Sequence, residues 1–565
     1  MADISVMKIL FLAALLMAGC TPQSHAQSVS LERDGQKVSD FASIQSALDA
    51  AKPGDVIRLS PGTYRERLRL EKSGTPQKPI VLEGGGAVLD GAAAQIAWEN
   101  HAPRVWRALV AWSGDAKLAK SAWCSLPTQL LWAYSTRAEF DLGKNGAGTF
   151  RQADGTVWLR LENDENPNDL AVKVPTGESG LHFGGNASNL VVRDLKIENA
   201  GVYGVRLQGE GVQGVKIENV SVGNTFSGVS TGSIWDEKGF GSRIRIENCR
   251  VHNDWNDNWI WSYFYEAEPG NRADAGAMRG AGIEVHASDS VVKGCTVDGQ
   301  HDGMAVSGPH LEISGNTIRR IHDDALEIEG RVQNGFAGAV QMRVFDNWLE
   351  NCYVGVSLGS LEPGPVWIYR NTIINDRAVI FKEGAAPSVN TAFKTGKHPW
   401  GQSVGWRIYH NTVYTRGGQL NADWVGSGNN DLRDVVWLNN IFYAQNGTFG
   451  RRTGLAKNGV FFDGNLYFSP VNGRPFWNDW NGLGAQNTLQ TARLAFADWE
   501  QHGVWANPLF REIGASEREG WHLQSQSPAR DAGVNLPKNW PDLPVVKDGK
   551  PDIGAHEFNA PAPNL

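Results

Sequence analysis

The chain has 565 residues, with 53 Lys+Arg against 61 Asp+Glu and a net charge of −8. That acidic balance excludes a protein built around a basic nucleic-acid-binding stripe, and five cysteines are too few for a disulfide scaffold. Sixty-five glycines without a Gly-X-Y period exclude collagen and favour a turn-rich β architecture, while 41% hydrophobic residues suffice for a large core.

The first segment reads as an address. Lys8 precedes the apolar run Ile9 to Leu16, which is too short for the roughly 20 residues that span a bilayer. The run ends in Met17-Ala18-Gly19-Cys20, which resembles a bacterial lipobox. That resemblance implies a signal peptide over 1–19, lipidation of Cys20, and a linker over 20–37. Thr21 after the cysteine points to the outer membrane, so the expected location is the cell envelope. The alternative is plain secretion with cleavage after Ser24-His25-Ala26.

Residues 38–95 read as an N-terminal cap and the first coils. Ile44 to Ala51 has helical periodicity, with Asp40 as its expected N-cap. Pro53-Gly54-Asp55, Val56 to Leu59 and Gly62-Thr63-Tyr64 then start strands. Residues 96–178 interrupt the pattern. There, Thr149-Phe150-Arg151 and Gly155 to Leu161 predict a hairpin in a small β insertion.

From 179 to 470 short alternating strands recur, each ending near an Asn. The aligned asparagines are Asn219, Asn248, Asn316, Asn347, Asn371, Asn411 and Asn440, spaced by 29, 68, 31, 24, 40 and 29 residues. Cys295 takes the Asn place within the gap of 68. A strand-turn unit repeating in this way is a solenoid whose rungs stack about 4.8 Å apart. A second strand in each rung follows Gly or Ala, at Gly282-Ile283-Glu284, Gly303-Met304-Ala305, Ala325-Leu326-Glu327, Gly355-Val356-Ser357 and Ala378-Val379-Ile380. The middle residue of each is expected inside and the last outside. Residues 471–565 are assigned to C-terminal rungs and a cap, with Ser527 to Gly533 and Pro551 to Glu557 as the closing segment.

This pattern resembles the right-handed parallel β-helix of pectate lyases, polygalacturonases and their relatives. Its N-terminal part is similar to alginate lyase and chondroitinase B relatives. The resemblance implies an all-β solenoid with an N-terminal capping helix and a small β insertion, acting on a polysaccharide.

One face gathers the reactive residues. Asp302 and Asp324 fall in matching places 22 residues apart, with His301 and His322 before them. Asp323, Glu327, Glu329, Glu284 and His286 are expected on the same wall, and Arg377 and Lys382 two rungs above. Paired carboxyls on adjacent rungs suit glycoside hydrolysis, because mutual repulsion splits their proton affinities. Glu284 and Glu327, two rungs apart, would instead suit an inverting pair. His301-Asp302-Gly303 and His322-Asp323-Asp324 also resemble two polygalacturonase motifs, which would make Asp302, Asp323 and Asp324 catalytic. The third motif of that family is absent, since Tyr353-Val354-Gly355 has no histidine.

Hydrolysis by an acidic pair from Asp302, Asp324 and Glu327 is the favoured expectation, with His322 and Lys382 as further catalytic candidates. A uronate lyase or C5-epimerase using Lys382, Arg377 or a histidine is the alternative, and a non-catalytic glycan-binding solenoid a third. No cofactor is required by the first reading. Calcium on Asp302, Asp324, Glu327 and Glu329 is the other possibility. Trp255, Trp259, Trp261 and Tyr263 are expected to stack on sugar rings, with Glu284, His286, His301, Glu329 and Arg377 as further substrate contacts. The expected partners are a polysaccharide and, through the lipid, a membrane, with no nucleic acid and a monomeric chain.

Overall fold

The structure, a computed structural model, describes residues 27–232, 241–264, 278–328, 332–333, 336–359, 364–389, 391–396, 403–416, 420–424, 432–445, 450–451, 459–471, 477–478, 486–541 and 550–558. Cys20 and Glu329 lie outside them, as does the side chain of Tyr263.

Alternating apolar residues stack into a parallel coil. One wall is a 14-stranded sheet. From Val56–Leu59 through Ile80–Glu83 and Leu190–Arg193 to Val460–Asp463 its neighbours are parallel. Strands Val29–Arg33 and Gln36–Phe41 close its first edge in antiparallel fashion. A second, 23-stranded sheet forms the remaining walls. The inward side chains Ile283, Met304, Leu326 and Val356 are fully buried in one continuous core. Burial of such side chains contributes about 1.5–3 kcal/mol each, and it also fixes register, because a one-residue slip would turn the buried set outward.

The helix Ile44–Ala50 covers the first end with Ile44, Ala47 and Leu48. Its N-cap is Ser43, not Asp40. Ser43 is extended, with φ −146°, and its side chain accepts the Ser46 N–H at 3.2 Å. Asp40 instead belongs to the strand Gln36–Phe41 and pairs with Lys37 at 2.7 Å.

The asparagines divide into two columns. Asn219 and Asn248 are left-handed, with φ 52° and 53°. Register aligns them with Gly294 and Gly315, one place before the interior column. That interior column runs Cys249, Cys295, Asn316, Asn347, Asn371, Asn411, Asn440 and Asn465. Each Asn from 316 to 440 donates its N–H and its Nδ2 to the Oδ1 of the next. The expected single column is therefore corrected by one residue for Asn219 and Asn248. A turn needs a left-handed residue, whereas the next position needs an amide that pairs vertically.

The insertion is a five-stranded sheet, ordered Trp132–Ala133, Gly148–Arg151, Thr156–Arg160, Val105–Leu109 and Glu99–Ala102. The predicted hairpin is its antiparallel centre. At the far end, Leu489, Ala492, Phe496 and Trp499 join the main core, so the helix Leu489–Ala495 and its sequel close the coil. The closing segment assigned to the C-terminal cap packs along the flank of the coil. Ala555 N–H donates to Thr412 Oγ1 at 3.0 Å, and Arg370 pairs with Glu557 at 3.2 Å.

Candidate active site

Backbone register places one outward column on the wall that contains Asp302–Ser307. It runs Arg206, Ser230, Glu284, Ala305, Glu327, Ser357, Lys394. Neighbouring rungs are about 4.7–4.9 Å apart. Glu284 and Glu327 therefore flank the small Ala305 two rungs apart, and Lys394 stands two rungs beyond Glu327.

Lys394 replaces the basic residue expected from sequence. The rung above Val356 and Ser357 is Phe393–Gly396, with Phe393 on Val356. Ala378–Val379 forms a separate antiparallel hairpin with Ser388–Val389. Lys382 is exposed in that hairpin. Arg377 is buried and bonds Asp257 at 3.0 Å. Neither occupies the outward column. The signal that would have found the rung is Ala392-Phe393-Lys394, which repeats the small-apolar-polar triplet of the rungs below. Ala378-Val379-Ile380 comes first in the chain and imitates it.

Behind this column lies a nearly closed charge cluster. The extra residue in Thr317–Ile328, between Ile321 and Asp324, bends the strand and brings two consecutive aspartates to the corner. Lys394 Nζ lies 2.6 Å from Asp324 Oδ2 and 3.8 Å from Asp323 Oδ1. Asp324 N–H donates to Asp302 Oδ1 at 3.3 Å, and His301 Nδ1 is 2.9 Å from Asp302 Oδ2. Asp324 Oδ1 has no hydrogen-bond partner among the described residues.

Proton affinities diverge within the cluster. Burial, reinforced by Asp323 and Asp302, pushes Asp324 well above the carboxylate range against the pull of Lys394. Burial also opposes ionisation of Asp302, but His301, Arg279 and Lys394 together hold it below that range. Burial disfavours the Lys394 ammonium, yet Asp323, Asp324 and Glu327 outweigh it and keep the group cationic. His322 is fully buried and held neutral by desolvation. It has no hydrogen-bond partner among the described residues. Its surroundings are Phe264 at 4.7 Å and Trp255 at 5.9 Å, measured between ring centroids.

The aromatic segment is packing rather than an open stacking platform. Trp255, Trp259 and Trp261 are all buried. Trp255 meets Trp123 of the insertion at 5.7 Å, Trp259 meets Trp132 at 5.1 Å, and Trp261 stacks on Phe381 at 4.5 Å. Trp255 and Trp259 join the insertion to the coil, and Phe264, with Trp255, roofs His301 and His322. His286 is likewise buried, with Nδ1 2.8 Å from Ser307 Oγ. Glu284 accepts from Ser230 Oγ at 2.7 Å and faces His286 Nε2 at 3.7 Å.

The cluster also brings groups able to ligate a cation close together. Ligand atoms of His301, Asp302 and Asp323 lie within 4.8 Å of one another. Asp324 adds the unpartnered Oδ1, and Glu327 belongs to the same electrostatic group. Four carboxyl groups thus share one buried ammonium. Asp323 enters the set expected from sequence, while Glu329 lies outside the described residues.

Residues 179–413 match the family model described as "Right handed beta helix region". The fold is a right-handed parallel β-helix. No curated protein matches it. Among solved structures, this β-helix is similar to XylC in complex with xylose. That match has 13% identity and a TM-score of 0.46, over 86% of each chain. It is similar also to pectate lyase Pel9A, at 13% identity and TM-score 0.38 over 93% of this chain and 94% of the other. A third is a PL6 family polysaccharide lyase from Pseudopedobacter saltans, at 12% identity and TM-score 0.30 over 86% and 96%.

Proposed function

We propose that this β-helix is a polysaccharide lyase acting on a uronate-containing glycan. The observation that carries the reading is Lys394. It stands on the column of Glu284 and Glu327 and contacts the cluster of Asp302, Asp323 and Asp324. β-Elimination requires that a proton leave the ring carbon beside the uronate carboxyl while the bond to the leaving sugar oxygen breaks. A base and a means of neutralising that carboxyl are therefore both needed.

Calcium, held by Asp302, Asp323, Asp324 and Glu327, would supply the positive charge at the uronate carboxylate. The remaining work falls to the chain. His301 orients Asp302 through its 2.9 Å contact. The roof of Trp255 and Phe264 keeps water from His301 and His322 and holds the local dielectric low. Burial by itself lowers an ammonium's proton affinity, and here the carboxylates override it. A bound cation that neutralised those carboxylates would let the effect of burial prevail, and Lys394 Nζ would then be the group placed to accept the ring proton. Several similar structures carry lyase names, among them an alginate lyase and a pectate lyase, which agrees with the reading.

A second reading, hydrolysis, is favoured by one observation. Asp302 and Asp324 on adjacent rungs have proton affinities pushed in opposite directions, the usual division between base and acid. Incubating the protein with neutral and uronate polysaccharides separates the two. Ultraviolet-absorbing unsaturated ends lost in Lys394→Met support the lyase. Reducing ends without unsaturation, retained in Lys394→Met and lost in Asp302→Asn, overturn it in favour of hydrolysis.

A further inference from the structure

Cys249 and Cys295 stand one above the other at the base of the interior amide column. The flanking register fixes this, with Glu247 on Lys293 and Arg250 on Thr296. Cys249 N–H donates to Cys295 Sγ at 3.4 Å, the place an Asn Oδ1 fills in higher rungs. Both thiols are buried and neither is bonded to another sulfur. The hydrogen bond from its partner holds the Cys249 thiol down, and burial pushes that of Cys295 up. Attack by one thiol of such a stacked pair, as thiolate, is the step thiol–disulfide exchange uses. Adjacent rungs are about 4.7–4.9 Å apart, inside the roughly 4.4–6.8 Å Cα separation that a disulfide spans.

We propose that Cys249 and Cys295 close a vertical disulfide between two rungs when the chain folds in the presence of a disulfide oxidant. The thiolate of Cys249 attacks the oxidant, displacing one thiol and forming a mixed disulfide. Cys295 then attacks Cys249 Sγ and displaces the second thiol. Two protein S–H groups and one external S–S bond become one protein S–S bond and two external S–H groups. The residues between the two cysteines include Trp255, Trp259 and Phe264. The bridge therefore closes the loop that roofs the candidate active site, and it restricts that loop most in the unfolded chain. Cys124 and Cys352 sit elsewhere, in the insertion and in the strand Trp348–Leu358.

The test is to unfold the full chain, refold it in a glutathione redox buffer, alkylate it and map its peptides. A linked peptide containing Cys249 and Cys295, absent from the fully reduced control, is expected. The oxidised protein should melt several degrees above the reduced one, and that increment should vanish in Cys249→Ser and Cys295→Ser. Should both cysteines be recovered alkylated after oxidative refolding, or bridged to Cys124 or Cys352, the proposal is overturned. The wild-type map decides this even where a variant folds poorly.

Discussion

Lys394 Nζ and Asp324 Oδ2 are 2.6 Å apart, although the two residues belong to rungs separated by the whole of Trp348–Leu358 and a hairpin. Parallel stacking converts that separation into a lateral contact. The contact ties the outward column to the buried aspartates, and most expected behaviour of the site follows from it.

Lys394→Met should lower turnover on a uronate polymer by about 10²–10⁴-fold, the usual contribution of a positioned base. Lys382→Met should leave turnover unchanged, because that side chain is exposed on the hairpin. Initial rates at 235 nm, with circular dichroism as a folding control, test the pair. Equal losses in both variants would contradict the register assigned to Phe393–Gly396.

Cation dependence follows from the carboxylates. A chelator should abolish turnover and added calcium should restore it. Asp323→Asn removes an oxygen ligand while preserving shape, and should weaken calcium binding by about tenfold or more. Isothermal titration of the protein with calcium chloride measures this without substrate. Unchanged affinity in Asp323→Asn would remove that residue from the cation set.

The amide column should be costly to interrupt. Asn371 donates to Asn411 Oδ1 and to the carbonyls of Val344 and Tyr369, and accepts from Asn347. Asn371→Ala leaves several buried donors and acceptors unpaired, each worth about 1–3 kcal/mol. Stability should fall by about 3 kcal/mol or more, read as a shift of the urea midpoint. A shift smaller than that of an exposed Asn→Ala control would show that the column contributes little.

Glu500 ends the column. It accepts from Asn465 Nδ2 at 2.7 Å and Asn465 N–H at 3.2 Å, and its Oε1 is 2.6 Å from Tyr467 Oη. Burial pushes its carboxyl up to about 8, against 4.5 for an unperturbed glutamate. The folded state therefore keeps a proton that the unfolded chain releases. The contribution is fully present below the unfolded value and is lost as pH rises towards about 8, by about 3 kcal/mol at pH 7. Glu500→Gln should remove this slope. Urea midpoints at pH 5 and pH 8 for both proteins test it; parallel slopes would mean Glu500 is not the titrating group.

Much of the coil was legible from residue order. Period-two alternation with recurring Gly and Asn gives stacked strands, and the triplets Gly282-Ile283-Glu284, Gly303-Met304-Ala305 and Ala325-Leu326-Glu327 lie in the register their spacing implies. Local patterns failed where two segments carried the same pattern. Ala378-Val379-Ile380 and Ala392-Phe393-Lys394 share the small-apolar start and differ in the third residue, and the second packs on Val356.

What the sequence determined by itself is the repeating unit, because alternation and turn chemistry act over a few residues. What only the tertiary structure decided is which side chains meet. The neutral His322, the buried tryptophans and the Lys394–Asp324 pair depend on burial and on charges brought together across rungs. The dielectric around a group, and hence its proton affinity, is set by everything packed against it rather than by its neighbours in the chain.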